Sequence, residues 1–376
     1  MILREGNRLG ASMARTALRT VLAACLLVVA LAPSAAHASV TTHVGAQHGA
    51  VTFETYQGEV SVDQTLVPVD LIGRRGALGW QLGFGFASSS AEDWTGDGSL
   101  SGLADVRGAL SRRFASDRIL LSAAADIALE DGPYDGGERL LLAWVAAPEL
   151  SLPLPGQGRG NRYRLDASAR LLSTKHAAVF AGAFYEREDA FQLRDDGLEL
   201  DPSDVIGGGL GIERGWGDVL ARLQGFLEHP QDGQIDGADA WRLGDRTRLR
   251  AEVVAPVAEG EGVFAVDLLG VGSGELLPGW VLDENWARGG NRVDWNFGWQ
   301  SSTPTFWGAG IGGTHVRGFT GALGHADWYL PHAEVGRRSA NGAVRCGATY
   351  RTGSVREGRS LDGFELSVSW SREWRR

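Results

Sequence analysis

Residues 162–171 alternate without a break. Arg162, Arg164, Asp166, Ser168 and Arg170 fall on one side of an extended chain, and Tyr163, Leu165, Ala167, Ala169 and Leu171 on the other. A strand built this way needs apolar surroundings on one face and water or counter-charge on the other. The same period of two recurs from about position 77 to Trp374, and helical periodicity is absent throughout. In 77–89 the apolar face is Leu78, Trp80, Leu82, Phe84 and Phe86. In 118–130 it is Ile119, Leu121, Ala123, Ala125, Ile127 and Leu129. In 100–114 polar Ser101, Asp105, Arg107, Ser111 and Arg113 oppose Leu100, Ala104, Val106, Leu110 and Phe114.

The alternation predicts about sixteen strands. They lie near 43–56, 77–89, 100–114, 118–130, 138–152, 161–173, 177–189, 203–214, 217–228, 243–256, 261–273, 291–301, 305–317, 328–337, 341–352 and 361–374. Very short links around 174–176, 215–216, 259–260, 302–304 and 339–340 alternate with long polar ones at 190–202, 229–242, 274–290 and 318–327. Tight turns at one end and long loops at the other are the mark of an outer-membrane barrel, with lipid outside and water within. With the long loops outside, both termini fall in the periplasm, which requires an even number of strands. The short link 115–117 breaks this alternation, so fourteen strands remain an alternative. The expected fold is therefore all-β, a single antiparallel transmembrane β-barrel with long loops on one end.

Residues 1–38 read as a secretory signal: Arg4, Arg8, Arg15 and Arg19, an apolar run from Val21 to Leu31, and the small-x-small site Ala36-His37-Ala38. Leu22-Ala23-Ala24-Cys25 also resembles a lipoprotein box, but little of the apolar run precedes that cysteine. The barrel is then 39–376. No later segment has the ~18 apolar residues of a membrane helix. Without the signal's four arginines and one glutamate the chain keeps 32 basic and 45 acidic residues, a charge of −13. That balance argues against nucleic acid as a partner. Cys346 would be the one remaining cysteine, so no intramolecular disulfide supports the fold. Lys175 is the only lysine. Bidentate binding of lipopolysaccharide phosphates by arginine is one reading of that bias, and a chain-wide codon preference is the simpler one.

The last strand, Phe364-Glu365-Leu366-Ser367-Val368-Ser369-Trp370, resembles the C-terminal strand that the barrel-assembly machinery of Gram-negative bacteria recognises, although Arg375-Arg376 follow Trp374. Ser101-Gly102-Leu103-Ala104-Asp105-Val106-Arg107 through Arg113-Phe114 is similar to a strand in porin-like proteins of the phenol meta-pathway group. Those resemblances imply an outer-membrane location, outer-membrane lipid and lipopolysaccharide as surroundings, and a transport role.

No Walker loop, His-Glu-x-x-His, cysteine pair or Gly-x-Ser-x-Gly occurs, so no cofactor, metal or catalytic residue is expected. His332, Ser339 and Asn341 could make a hydrolase site only if they met. Ser339-Ala340-Asn341-Gly342 reads instead as a hairpin, Asn-Gly favouring a type I′ turn. Asp195 and Asp196, among Asp189, Glu199, Asp201 and Asp204, read as a solvated or cation-contacting loop rather than a protease pair. The polar faces carry Arg107, Arg113, Arg162, Arg164, Arg170, Arg222, Arg246, Arg248, Arg250, Arg345 and Arg351, against fewer acids: Asp105, Asp126, Asp166, Asp218, Glu252, Asp294 and Glu365. These arginines are expected to line the lumen, with Arg246, Arg248 and Arg250 as a basic ladder. Trp80, Trp144, Trp295, Trp299, Trp307, Trp328, Trp370 and Trp374 are expected to form aromatic girdles at the membrane interfaces. The expected function is a porin-like channel for small polar or amphipathic solutes. The alternatives are a barrel hydrolase acting on lipid or peptide, and a structural or adhesive barrel or soluble periplasmic binding protein. Heat-modifiable gel migration and a β-rich spectrum in detergent are expected; a chain that stays monomeric in buffer without detergent would exclude the membrane barrel.

Overall fold

In a computed structural model, which describes residues 39–55, 57–127, 161–192, 199–235, 237–276, 289–318, 324–355 and 358–375, sixteen strands close into one antiparallel ring. They are β1 (Ser39–Glu54), β2 (Glu59–Arg75), β3 (Leu78–Asp93), β4 (Gly96–Phe114), β5 (Ile119–Ile127), β6 (Arg162–Ser173), β7 (Ala177–Glu188) and β8 (Val205–Trp216). The ring continues with β9 (Val219–Pro230), β10 (Arg246–Val257), β11 (Gly260–Val271), β12 (Gly290–Ser301), β13 (Thr305–Arg317), β14 (His325–Ser339), β15 (Gly342–Val355) and β16 (Arg359–Arg375). Every strand pairs with its neighbours in sequence, and β1 closes the ring against β16 from Ser39–Arg375 to Phe53–Leu361. Closure removes both sheet edges, which is what permits a sheet to sit in lipid.

The strand number agrees with the sequence, but two of the assignments behind it do not. β2 was not foreseen. Its inward side chains near the top, Val60 and Val62, are apolar, so the polar-in alternation is missing there. Conversely, β5 pairs directly with β6, which leaves no place in the ring for the expected strand at 138–152; that segment lies outside the described residues. The two errors cancel in number, and they also explain the irregular link at 115–117. With β2 in place that turn joins β4 to β5 at the short-turn end, where it belongs. All seven links at that end are tight: 76–77, 115–118, 174–176, 217–218, 258–259, 302–304 and 340–341. The long connections 128–161, 189–204, 231–245 and 272–289 all lie at the other end. The hairpin at 340–341 is as short as expected, but neither Ala340 nor Asn341 has a positive φ, so it is not type I′.

Strand lengths divide the barrel in two. β6 to β12 have 12 residues each, about what a tilted membrane strand needs. β1 to β4 have 16, 17, 16 and 19, and β13 to β16 have 13, 15, 14 and 17. The surplus length lies at the long-loop end. There these strands curl together and bury an apolar lobe of Val51, Phe53, Val60, Val62, Ala91, Val316, Ala326, Trp328, Val355 and Leu361, with Leu100 and Leu330 packed against it. A bulge makes part of this possible. Gly83 pairs with Arg107 but Gly85 with Ala104, so β4 carries one extra residue. Side chains above the bulge swap faces, and Leu100 turns inward to the lobe. The single polar face expected for 100–114 is therefore broken between Ala104 and Arg107.

On the other half of the long-loop end, segments of three loops form a small sheet: Phe191–Gln192, Glu199–Asp201, Asp232–Ile235, Ala238–Arg242 and Glu275–Leu276. Ile235, Ala240 and Trp241 bury a small core, and Arg242 clamps Asp232 with Nε–Oδ1 at 2.6 Å. That guanidinium holds the Asp232 carboxyl below the usual carboxylate range.

Phe53 is fully buried in the lobe. Phe53→Ala is expected to cost about 3–5 kcal/mol in urea unfolding from detergent or vesicles. A loss below about 1 kcal/mol, as at a surface site, would mean that the lobe is not a packed core.

Candidate functional site

The outer wall of the ring is apolar. Leu110, Leu165, Leu210, Leu227, Phe297, Val335 and Leu366 stand exposed on it, on the face opposite the paired charges of the interior; Arg112, Arg214, Arg337 and Arg372, which share this face, lie near the short-turn rim. The large apolar area exposed around the barrel marks it as the surface that meets lipid. Near the short-turn end the same wall carries Trp80, Trp216, Trp299, Trp307, Trp370 and Trp374. Trp299 and Trp307 are tilted against one another, ring centroids 4.7 Å apart. Trp299 donates to the Val257 carbonyl at 2.9 Å and Trp374 to the Thr42 hydroxyl at 3.2 Å. Gly73 is what lets Trp80 lie flat on the wall, since a Cβ there would sit 2.0 Å from the indole. Trp295 lies on the outer wall toward the long-loop end, donating to His315 Nε2 at 3.3 Å.

One of the expected girdle residues has another fate. Trp328 is 1 % exposed and faces inward, because on β14 the apolar residues of its parity belong to the lobe and not to the lipid face. Trp144 lies outside the described residues. The sequence reading also missed a band. The four described tyrosines, Tyr163, Tyr185, Tyr329 and Tyr350, all stand on the outer wall toward the long-loop end. Tyr185 donates to Asp204 at 2.5 Å, Tyr350 to Asp362 at 3.0 Å and Tyr163 to Asp189 at 3.5 Å. Rings in lipid with hydroxyls reaching polar partners are what an interface favours. The signal was present, since Tyr163 shares the apolar face of its strand. Asp189 and Asp204 are thus used by the rim; Asp195 and Asp196 lie outside the described residues.

Inside the ring, charge is paired across strands. On β4 to β7, Asp126 accepts from Arg107 Nε at 2.7 Å and Arg162 Nη2 at 2.9 Å. Glu186 faces Arg162 at 4.0 Å and Arg164 at 3.3 Å, and Arg164 reaches Asp166 at 3.0 Å. On β8 to β10, Arg222 joins Glu213 and Glu252, both at 2.9 Å. Farther round, Arg292 holds Asp294 at 2.7 Å and Arg345 holds Glu334 at 3.3 Å. Arg170 lies over Phe180, 5.4 Å from the ring centroid, and Arg351 over Trp328 at 5.6 Å. Arg113 sits on β4 one residue from its end, at the short-turn rim.

The ladder arginines differ from one another. Arg246 has Glu228 at 3.9 Å. Arg248 takes Asp267 with two nitrogens, Nε at 2.8 Å from Oδ1. Asp267 is the register partner of Arg250, yet its carboxylate is turned to Arg248. Arg250 keeps a 3.4 Å contact to Glu252, which Arg222 already holds. Glu186, Glu213, Glu228, Asp267 and Glu334 were absent from the acids expected to face these arginines. Which acid meets which arginine is set by cross-strand register, and one strand read alone does not contain it.

Between β10 and β1, round the β13 side, lies a cavity of about 570 Å³. Its walls carry Arg250, Asp294, Asn296, Thr314, His332, Thr349, Arg351 and Glu365, and Val51 and Leu330 join it to the lobe. Gly310, the cross-strand neighbour of His332, leaves room for that imidazole: a Cβ there would sit 2.5 Å from His332 Cε1. His332 and Ser339 do not meet. They point to opposite faces of β14, and Ser339 Oγ donates to the Gly342 carbonyl in the hairpin.

No protein-family model matches the chain, and no curated protein sequence is similar to it. By structure it is similar, among others, to several Pseudomonas aeruginosa proteins. The first is OccK2 (OpdF), with 13% identity, TM-score 0.39, and coverage of 89% of this chain and 98% of that one. OpdQ follows with 10% identity, TM-score 0.44 and coverage of 90% and 99%. OpdK, crystallised with vanillate, gives 11%, 0.45, 89% and 99%.

Asp126 is shared by two guanidiniums with 17% of its side chain exposed. Asp126→Asn is expected to destabilise the barrel by about 1–2 kcal/mol, a charged hydrogen bond discounted for water in the barrel. That cost should shrink when Arg107 and Arg162 are both Gln. An unchanged cost in the triple variant would mean that the carboxylate acts through something other than these two ion pairs.

Proposed function

We propose that this chain is an outer-membrane channel that passes small polar or amphipathic solutes. The observation that carries the reading is the interior: a sixteen-strand ring with ionised groups around a cavity and an apolar wall outside. Charges facing lipid would cost about 2–4 kcal/mol each near the midplane, so ionised groups on one face and leucines on the other define which side is wet. Rings of sixteen strands are wide enough for an aqueous path. The lobe and the loop sheet stand at the long-loop end, and in this reading the path runs past them and through the cavity. The tight turns then face the periplasm, and the tryptophan and tyrosine bands sit at the two interfaces. Export by the N-terminal signal, folding by the barrel-assembly machinery and contact with lipopolysaccharide belong to the same reading.

Selectivity is expected to be weak. Arg246 and Arg248 face carboxylates, so the ladder is no unneutralised row of positive charge. In planar bilayers the protein should carry current with a reversal potential near zero in a salt gradient. Gln at 246, 248 and 250 should shift it toward cations by removing three positive charges and freeing Glu228 and Asp267, and Asp267→Asn should shift it toward anions. Absence of current from correctly folded protein would reject the channel. An unchanged reversal potential in both variants would show that these groups do not line the path.

A further inference from the structure

The cavity is unevenly charged. On the β10 wall, Arg250 has only the long contact to a glutamate already held by Arg222, because its register partner Asp267 is taken by Arg248. This guanidinium keeps donors to spare. On the far wall, on β16, stands Glu365, which forms no ion pair or hydrogen bond among the described residues. Its backbone neighbour across β1 is Gly49, whose missing side chain leaves the carboxylate open to the cavity. Asp294 contributes less, being held by Arg292 and by the Thr314 hydroxyl at 2.6 Å. Val51 and Leu330 add apolar surface where the cavity meets the lobe. Arg351, diagonal to Glu365 on β15, attracts that carboxylate from beyond ion-pair distance. An under-used cation and an anion held by no ion pair therefore face a shared space with an apolar side. At about 570 Å³ that space is within the ~300–1,000 Å³ of ordinary small-molecule sites.

We propose that this cavity is a binding site for small zwitterions: compact solutes with a carboxylate at one end, an ammonium at the other and a short apolar spacer. The carboxylate docks on Arg250 and the ammonium on Glu365, with the spacer along Val51 and Leu330. A singly charged solute satisfies one wall and leaves the other charge without a partner, which a site of this kind penalises. The inference deepens the channel reading by giving the path a preferred solute class. It depends on that reading only for access to the cavity.

Three probes with matched chains separate the possibilities: δ-aminovalerate (both charges), valerate (anion) and pentylamine (cation). Calorimetry on detergent-folded protein reads binding, and current block in planar bilayers reads passage. δ-Aminovalerate should bind about tenfold or more tighter than either relative, one charged hydrogen bond being worth at least that factor. Arg250→Gln should abolish its advantage over pentylamine, and Glu365→Gln its advantage over valerate, with heat-modifiable migration confirming both variants folded. Equal binding of all three probes, valerate binding as tightly as the zwitterion, or variants that leave the ranking unchanged would each overturn the proposal. The unmodified protein already tests the ranking if a variant does not fold. Selective binding without current would keep the site and reject the channel; current without selective binding would do the reverse.

Discussion

Backbone hydrogen bonding governs this molecule. A strand in hydrocarbon has no water to satisfy its amides and carbonyls, so each must find a neighbouring strand and the last must find the first. The β1–β16 pairing meets that demand over most of both strands, from Ser39–Arg375 to Phe53–Leu361. Once the ring closes, each residue has only two choices, in or out, and parity settles which. The apolar wall, the aromatic bands and the inward placement of most charges all follow from it.

Parity alone does not fix the charge pattern. Adjacent strands slide against each other by whole residues, and a register shift changes which side chains are level. Asp126 can serve both Arg107 and Arg162 because β5 lies between their strands with the three positions aligned. Asp267 lies opposite Arg250 but is captured by Arg248. A row of arginines that looks uniformly basic thus becomes two compensated members and one under-used member. The difference matters for what the interior can bind, since a charge already paired in a wet lumen attracts little.

The lobe at the long-loop end answers a different problem. Strands that continue past the bilayer lose their lipid on one side and gain water. Their inward residues can then be apolar if the wall curls enough for them to touch. Phe53, Val60, Trp328 and Leu361 do this, producing a small packed core above a charged cavity. The bulge between Gly83 and Gly85 serves the same end by turning Leu100 from the wall into the core.

The sequence by itself determined the architecture: period-two alternation with tight and long links in turn specifies an antiparallel membrane barrel, because side-chain direction in a strand depends only on position along the chain. It placed Leu165 outside and Arg164 inside for the same reason. It could not place β2, whose Val60 and Val62 face inward to an apolar lobe, or Trp328, whose parity it read as membrane interface. In both cases the side chain's surroundings are supplied by strands hundreds of residues away. The ion-pair partners Glu186, Glu213 and Asp267 belong to the same class, because register is a relation between strands. The cavity, too, was decided only in the tertiary structure. Arg250 and Glu365 are unremarkable inward residues of separate strands until the ring's curvature brings their walls around one space.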